Sequence, residues 1–259
     1  MAGCQLEVVS AEKDLGAYIT DNLTWNKEVN VQCAKASRLL GYVRRNTRLV
    51  KCIPVRRLAY LTIVRSHPGY ATQVWTPQSI DLIRKLERLQ RRAKTYIQDL
   101  PFICDQTYRD RPMNLDLLLP ISYWHELLDM IFFFKIVTGT VSPSVLLQVL
   151  VTRTIRSNSN RNLSHFFSRE CNTVTFQRSF FNRTTRIWNT LANDLQLSCN
   201  IHISQFKSII YKYYVDVLER NNDPEKPRSW KTICPSSNVS RQEPITSSRK
   251  VSVRLRFCF

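Results

Sequence analysis

The sequence predicts a mostly α-helical fold with a small β element at its start and a disordered basic tail at its end. Three observations carry this. Apolar residues recur at three- and four-residue steps through most of the chain. Gly numbers only 5 in 259 residues, too few for a sheet with many tight turns. Beyond Asn221 periodicity is lost, and Pro, Ser, Arg and Lys dominate.

The elements follow in order. Leu6 to Val9 and Leu15 to Ile19 read as short strands, with Asp14 and Gly16 as punctuation. A helix from about Trp25 to Arg45 carries Val29, Cys33, Ala36, Leu40 and Val43 on one face. Pro54 suits the first position of a second helix whose core side is Leu58, Leu61 and Val64, closed by His67-Pro-Gly-Tyr70. Thr76-Pro77 is placed to cap a third helix, Asp81 to Ile97, with Leu82, Leu86, Leu89, Ala93 and Ile97 inward. Pro120 and Ser122 open a core helix from Ile121 to Val137, and Gly139 ends it. Residues 140–175 read as a long basic loop. Phe176 to Asp194 returns to helix, with Phe176, Phe180, Trp188 and Leu191 inward. Ser204 caps a last helix carrying Phe206, Ile210, Tyr213 and Val217.

Charge is the strongest functional signal. Lys and Arg number 38 against 20 Asp and Glu, a net charge of +18. Between Val29 and Ile80 there is no acidic residue, and between Met130 and Asn193 only Glu170. Such fields call for a polyanion, and nucleic-acid phosphate is the commonest one. The third helix concentrates the charge: Arg84, Lys85, Arg88, Arg91, Arg92 and Lys94 fill its polar faces. Arg44, Arg45 and Arg48 form a second cluster. These nine residues are the candidate phosphate contacts for RNA, DNA or hybrid duplex. Tyr42 and Tyr96, the aromatics closest to the basic runs, are the candidates for stacking on bases. The competing reading of such runs is a solvated face on a helical scaffold with no nucleic-acid contact.

Other classes lack their residues. There is no P-loop. The 4 His (67, 125, 165, 202) show no zinc spacing, and the 8 Cys contain no C-x-x-C pair. No catalytic residue, metal site or cofactor is expected. His125 beside Glu126, on an apolar helix, reads as a satisfied edge of the core. With no signal peptide and no spanning segment, the expected location is intracellular, cytoplasmic or nuclear, with no membrane partner.

Several segments resemble one family. Lys13-Asp-Leu-Gly-Ala-Tyr-Ile-Thr-Asp-Asn-Leu-Thr-Trp25 is similar to the stretch after the polymerase palm in non-LTR retrotransposon reverse transcriptases. Ser66-His-Pro-Gly-Tyr-Ala-Thr-Gln-Val-Trp-Thr-Pro77, followed by Leu86-Glu-Arg-Leu-Gln-Arg-Arg-Ala93, resembles the downstream stretch of jockey-like elements. Phe180-Phe-Asn-Arg-Thr-Thr-Arg-Ile-Trp-Asn-Thr-Leu191 resembles a motif near the end of the same reading frames. The order holds over about residues 6–235.

The resemblance implies a palm-edge β remnant at 1–24, a thumb-like helical domain at 25–139, the basic loop at 140–175, a helical extension at 176–220 and the tail at 221–259. It also implies that the palm is a partner. Glu28 stands where the family has His, and Pro68-Gly69 where it has Leu-Glu. The family's Ala-Asp-Asp turn, which would hold catalytic Mg²⁺, is absent: no two Asp are adjacent. The expectation is a truncated, non-catalytic fragment of an RNA-directed DNA polymerase.

Overall fold

The computed structural model describes residues 9–77, 79–98, 118–141, 152–153, 165–166, 171–195, 197 and 201–220. The disordered-tail expectation for 221–259 lies outside them. The fold is mostly helical, with a small two-stranded sheet at its start.

That sheet is a hairpin of β1 (Ala11–Asp14) and β2 (Ala17–Thr20), paired Ala11↔Thr20 to Asp14↔Ala17. The turn falls on Leu15-Gly16, inside the expected second strand. Both have positive φ, 44° and 90°, the pattern of a two-residue turn that matches strand twist. Leu15 is therefore a turn residue and not the start of a strand. Of the expected first strand, Leu6 to Val9, only Val9 is described, and it lies outside β1.

Helix α1 (Asn26–Asn46) buries Val29, Cys33, Ala36, Leu40 and Val43, as its period requires. Glu28 docks the hairpin onto it. Its carboxylate accepts the Tyr18 N–H at 2.8 Å and the Gln32 amide at 2.6 Å.

After α2 (Ile53–Ala59) the chain winds into a π turn, Tyr60–Val64, where the Arg65 N–H donates to the Tyr60 carbonyl at 2.9 Å. The wider turn shifts the phase of the buried face. Tyr60 and Val64 enter the core, whereas Leu58, expected inward, is 61% exposed.

Helix α3 (Ile80–Gln98) buries Leu86, Leu89, Ala93 and Ile97; Leu82, expected inward, is only half-buried, and Ile83 is buried beside it. It starts three residues after Pro77. The Thr76 hydroxyl turns back to the Thr72 carbonyl at 2.9 Å and does not cap it. With α1, α2 and the π turn, α3 encloses one core cluster.

Helix α4 (Ile121–Val137) is apolar apart from Ser122, His125, Glu126, Asp129 and Lys135, and packs against α6 (Phe180–Leu195) and α7 (Ile203–Arg220). Phe134 stacks on Phe206 at 4.1 Å between centroids, and Trp188 lies against both. Inside the expected loop 140–175, β3 (Thr152–Arg153) pairs with β4 (His165–Phe166). Phe166 is the anchor. Its ring meets Phe133 and Trp188, and the Asn189 side chain bonds both its N–H (3.0 Å) and its C=O (2.9 Å).

The expected helix from Phe176 is broken at Arg178-Ser179, leaving a short α5 (Val174–Gln177) on which Phe176 is 45% exposed. The Ser179 hydroxyl and the Asn182 amide both turn back to the Phe176 carbonyl, which competes with helix continuation. At α7 the His202 imidazole takes the capping role expected of Ser204. It bonds the Ser204 hydroxyl and accepts its N–H, and Gln205 reaches back to the His202 N–H. On α7 Tyr214 is buried, while Tyr213 is half-buried with its hydroxyl on Asp194.

A buried polar seam joins the two halves. Arg183 of α6 pairs with Asp129 of α4 at 2.8 Å, both almost fully enclosed. Its guanidinium also donates to the carbonyls of Thr72 (3.0 Å), Gln73 (3.3 Å) and Arg178 (3.1 Å). Nearby, the Arg65 guanidinium donates to the Leu119 carbonyl at 2.7 Å and lies over the Trp124 ring. Gly69 is required beneath that same ring: a Cβ there would sit 2.1 Å from it. His125, fully buried, donates its Nε2–H to the Pro68 carbonyl at 2.6 Å.

Removing one member of a buried, hydrogen-bonded ion pair strands the other. We expect Arg183→Ala to cost about 3–5 kcal/mol in urea denaturation. A loss below about 1 kcal/mol, as for a surface pair, would contradict this placement.

Candidate nucleic-acid interface

The two basic clusters meet. Packing α1 beside α3 places the end of α1 along the outer half of α3 and leaves a groove between them. It encloses about 590 Å³ and is lined by Ser37, Leu40, Gly41, Arg44, Arg45, Arg48, Arg56, Arg92, Thr95 and Tyr96. Among these described residues none is acidic.

The groove exists because α1 has small residues there. Ser37 and Gly41 recur at a four-residue step in its lining, and their short side chains leave the space unfilled: a Cβ on Gly41 would meet only the Arg45 guanidinium, at 3.6 Å. Arg44 and Arg45 sit in the last turn of α1, with Arg48 just beyond. The unpaired carbonyls of a helix C-terminus favour cations at that position. Arg92 completes the wall from α3. These four guanidiniums are exposed.

Arg56 is different. It is buried, and donates to the Val50 carbonyl at 2.5 Å and the Tyr96 carbonyl at 3.1 Å. It ties α2 to the ends of α1 and α3 and forms the groove's floor. Nothing in the sequence separates it from its basic neighbours.

The other candidates lie around the groove. Lys85 bonds the Asn30 side chain of α1, on the same edge as Arg92. Arg88 is exposed one turn before Arg92. Arg84 is paired with Asp81 at 3.6 Å. Arg91 and Lys94 are half-buried toward the opposite edge, where the Lys94 ammonium acts on Glu87. Tyr42 is 55% exposed and outside the groove lining. Tyr96 is 8% exposed; its hydroxyl meets that of Thr47 and Arg56 covers its ring, so it packs the wall.

Behind α3 lie buried ionisable groups; His125 and Glu126 were read from the sequence as a satisfied edge of the core, whereas Glu87 and Asp129 were missed. Glu87 accepts the Ser122 N–H at 3.2 Å and so caps α4 from another helix. Burial pushes its carboxyl up to about 7, against the pull of the Ser122 N–H and Lys94. Burial likewise raises Asp129 to about 6, despite Arg183, and Glu126, which accepts from the Tyr214 hydroxyl at 3.1 Å, to about 8. His125 is driven down to about 3 by burial, with Arg65 and Arg183 adding to the effect. These groups tie elements together by hydrogen bonds, and His125 and Glu126 face different partners. A cue was present: polar residues at inward positions of apolar helices. Their partners were not legible.

Among the described residues no group of three or more His, Cys, Asp or Glu gathers as metal ligands, and no helix is long and apolar enough to cross a membrane. Compared with known proteins, the chain matches no family model, no curated sequence and no solved structure.

The Glu87 carboxyl gives a pH test. It keeps its proton in the fold up to about 7, whereas the unfolded chain releases it near 4.5. Between those values unfolding releases a proton, so this contribution to stability falls as pH rises. Glu87→Gln keeps the acceptor oxygen and removes the titration. The variant should gain on the parent between pH 4.5 and 8 by on the order of 3 kcal/mol. Parallel stability curves for the two proteins would contradict it. His125 acts in the opposite sense: below 6.5 the unfolded imidazole binds a proton that the buried one refuses.

Proposed function

We propose that the α1–α3 groove grips the phosphate backbone of nucleic acid. The observation that supports it is the convergence of Arg44, Arg45 and Arg48 with Arg92, some 44 residues on in sequence, on one groove with no acidic residue among its described lining. Arginines held by backbone packing contact phosphates without reading bases. The substrate is therefore RNA, DNA or hybrid duplex, bound through its charge.

We further propose that the chain derives from the thumb and following extension of a jockey-like reverse transcriptase, and that it has no polymerase activity of its own. The quoted motifs support this origin. Two departures from that pattern are accommodated in the fold. Glu28 is buried and holds the hairpin, and Gly69 is the residue that fits under Trp124.

One observation favours the scaffold alternative. Leu49, Ile53, Val55, Leu58 and Ile63 are exposed around α2 and the π turn, an apolar strip of the kind that protein partners cover.

Fluorescence anisotropy with a labelled duplex separates the readings. Affinity should fall steeply with salt, as counterions are released. Arg45→Ala with Arg92→Ala should weaken RNA, DNA and hybrid alike. It should also lower the salt slope by roughly one for each phosphate no longer neutralised. Circular dichroism checks that the double variant folds. If the folded variant binds as tightly as the parent with the same slope, the groove is a solvated surface and the scaffold reading leads.

A further inference from the structure

The groove has a property that backbone binding does not use. It is a hollow of about 590 Å³, the size of a small-molecule site. Its depth comes from Ser37 and Gly41, whose small size leaves space between the helices. Exposed guanidiniums reach it from two directions, from α1 and from α3. Converging guanidiniums match a ligand that packs several phosphates into a few ångströms better than one phosphate per nucleotide. The hollow also offers no aromatic platform. Tyr96, the one aromatic among its described lining residues, has Arg56 over its ring at 5.5 Å. A ligand there is read by its phosphates and not by its base.

We infer that the hollow between α1 and α3 binds a linear oligophosphate group, with Arg44, Arg45, Arg48 and Arg92 as its ligands. The inference rests on the reading of the groove as a phosphate site and narrows it to a chain of linked phosphates. Two sources share that chemistry: a free nucleoside triphosphate and the 5′-triphosphate end of an RNA.

Gly41 supplies the sharpest test. A Cβ at that position meets only the Arg45 guanidinium, at an ordinary 3.6 Å. Gly is also about 1 kcal/mol worse than Ala inside a helix. Gly41→Leu should therefore fold at least as stably as the parent, keep every arginine, and intrude a bulky apolar side chain into the hollow beside Arg45.

Isothermal titration calorimetry of the full chain with inorganic tripolyphosphate is the primary measurement. One saturable site is expected, about tenfold tighter than for orthophosphate. Gly41→Leu should abolish that site, and so should Arg45→Ala with Arg92→Ala. ATP, and one RNA carrying either a 5′-triphosphate or a 5′-hydroxyl, identify the source. Tighter binding of the triphosphorylated RNA points to the RNA end; ATP binding without that gain points to the free nucleotide. Either result supports the oligophosphate class.

If the wild-type chain binds duplex with the expected salt slope but shows no saturable tripolyphosphate site, this inference is overturned and the backbone reading stands. If neither is bound, both fall. Unchanged tripolyphosphate affinity in folded Gly41→Leu also overturns it, because charge outside the hollow would then suffice.

Discussion

A single buried guanidinium holds the architecture together. Arg183 projects from α6 into the place where α4 meets the segment after the π turn. There it bonds one carboxylate oxygen of Asp129 and three backbone carbonyls. Those carbonyls belong to irregular chain around residues 72–73 and 178, outside any ladder or helix, where buried carbonyls need side-chain donors; Thr72 also has the Thr76 hydroxyl. A planar group with five donors suits this task better than a lysine would. Arg65 does similar work at Leu119, and Glu87 at the first N–H groups of α4. The apolar clusters, three among the described residues, are thus joined by specific polar contacts. Such contacts fix the relative placement of the helices more tightly than grease on grease, since each misplacement strands a buried charge.

The groove depends on that placement indirectly. The outer face of α3 carries its arginines, while its inner face is held on both sides: by α1 through Leu40, Val43 and Leu89, and by the start of α4 through Glu87 and Gln90. With α3 so held, the stripe of Ser37 and Gly41 on α1 sets the opening. Like charges gathered there raise the energy of the folded state, partly offset by the dipole at the end of α1. An anion in the groove relieves that cost. Binding free energy thus comes partly from charge the fold has already assembled.

What the sequence made legible follows from periodicity. The buried face of α1, and that of α3 from Leu86 onward, match the expected residues because a 3.6-residue repeat of apolar side chains has few other solutions. The two arginine clusters were visible as clusters, but their meeting was not, since no local pattern says which edges of two helices pack. Leu58 and Phe176 were misplaced where the period changed, at a π turn and at a break set by Ser179 and Asn182. Thr76 and Ser204 looked like caps, yet tertiary contacts sent one hydroxyl to Thr72 and gave the other's role to His202. The buried arginines 56, 65 and 183 were hidden most completely. In a chain with 38 cationic residues, one that supports the core looks the same as one that faces water.

Those two kinds of arginine should separate in one measurement. NMR of the side-chain Nε–Hε groups, followed while a nucleic-acid duplex is titrated in, reports each guanidinium individually. With a phosphate site between α1 and α3, the resonances of Arg44, Arg45, Arg48 and Arg92 should move together and saturably, while those of Arg65 and Arg183 stay fixed. Shifts confined to other arginines, or spread evenly over all exposed ones with no saturation, would contradict a built phosphate site there.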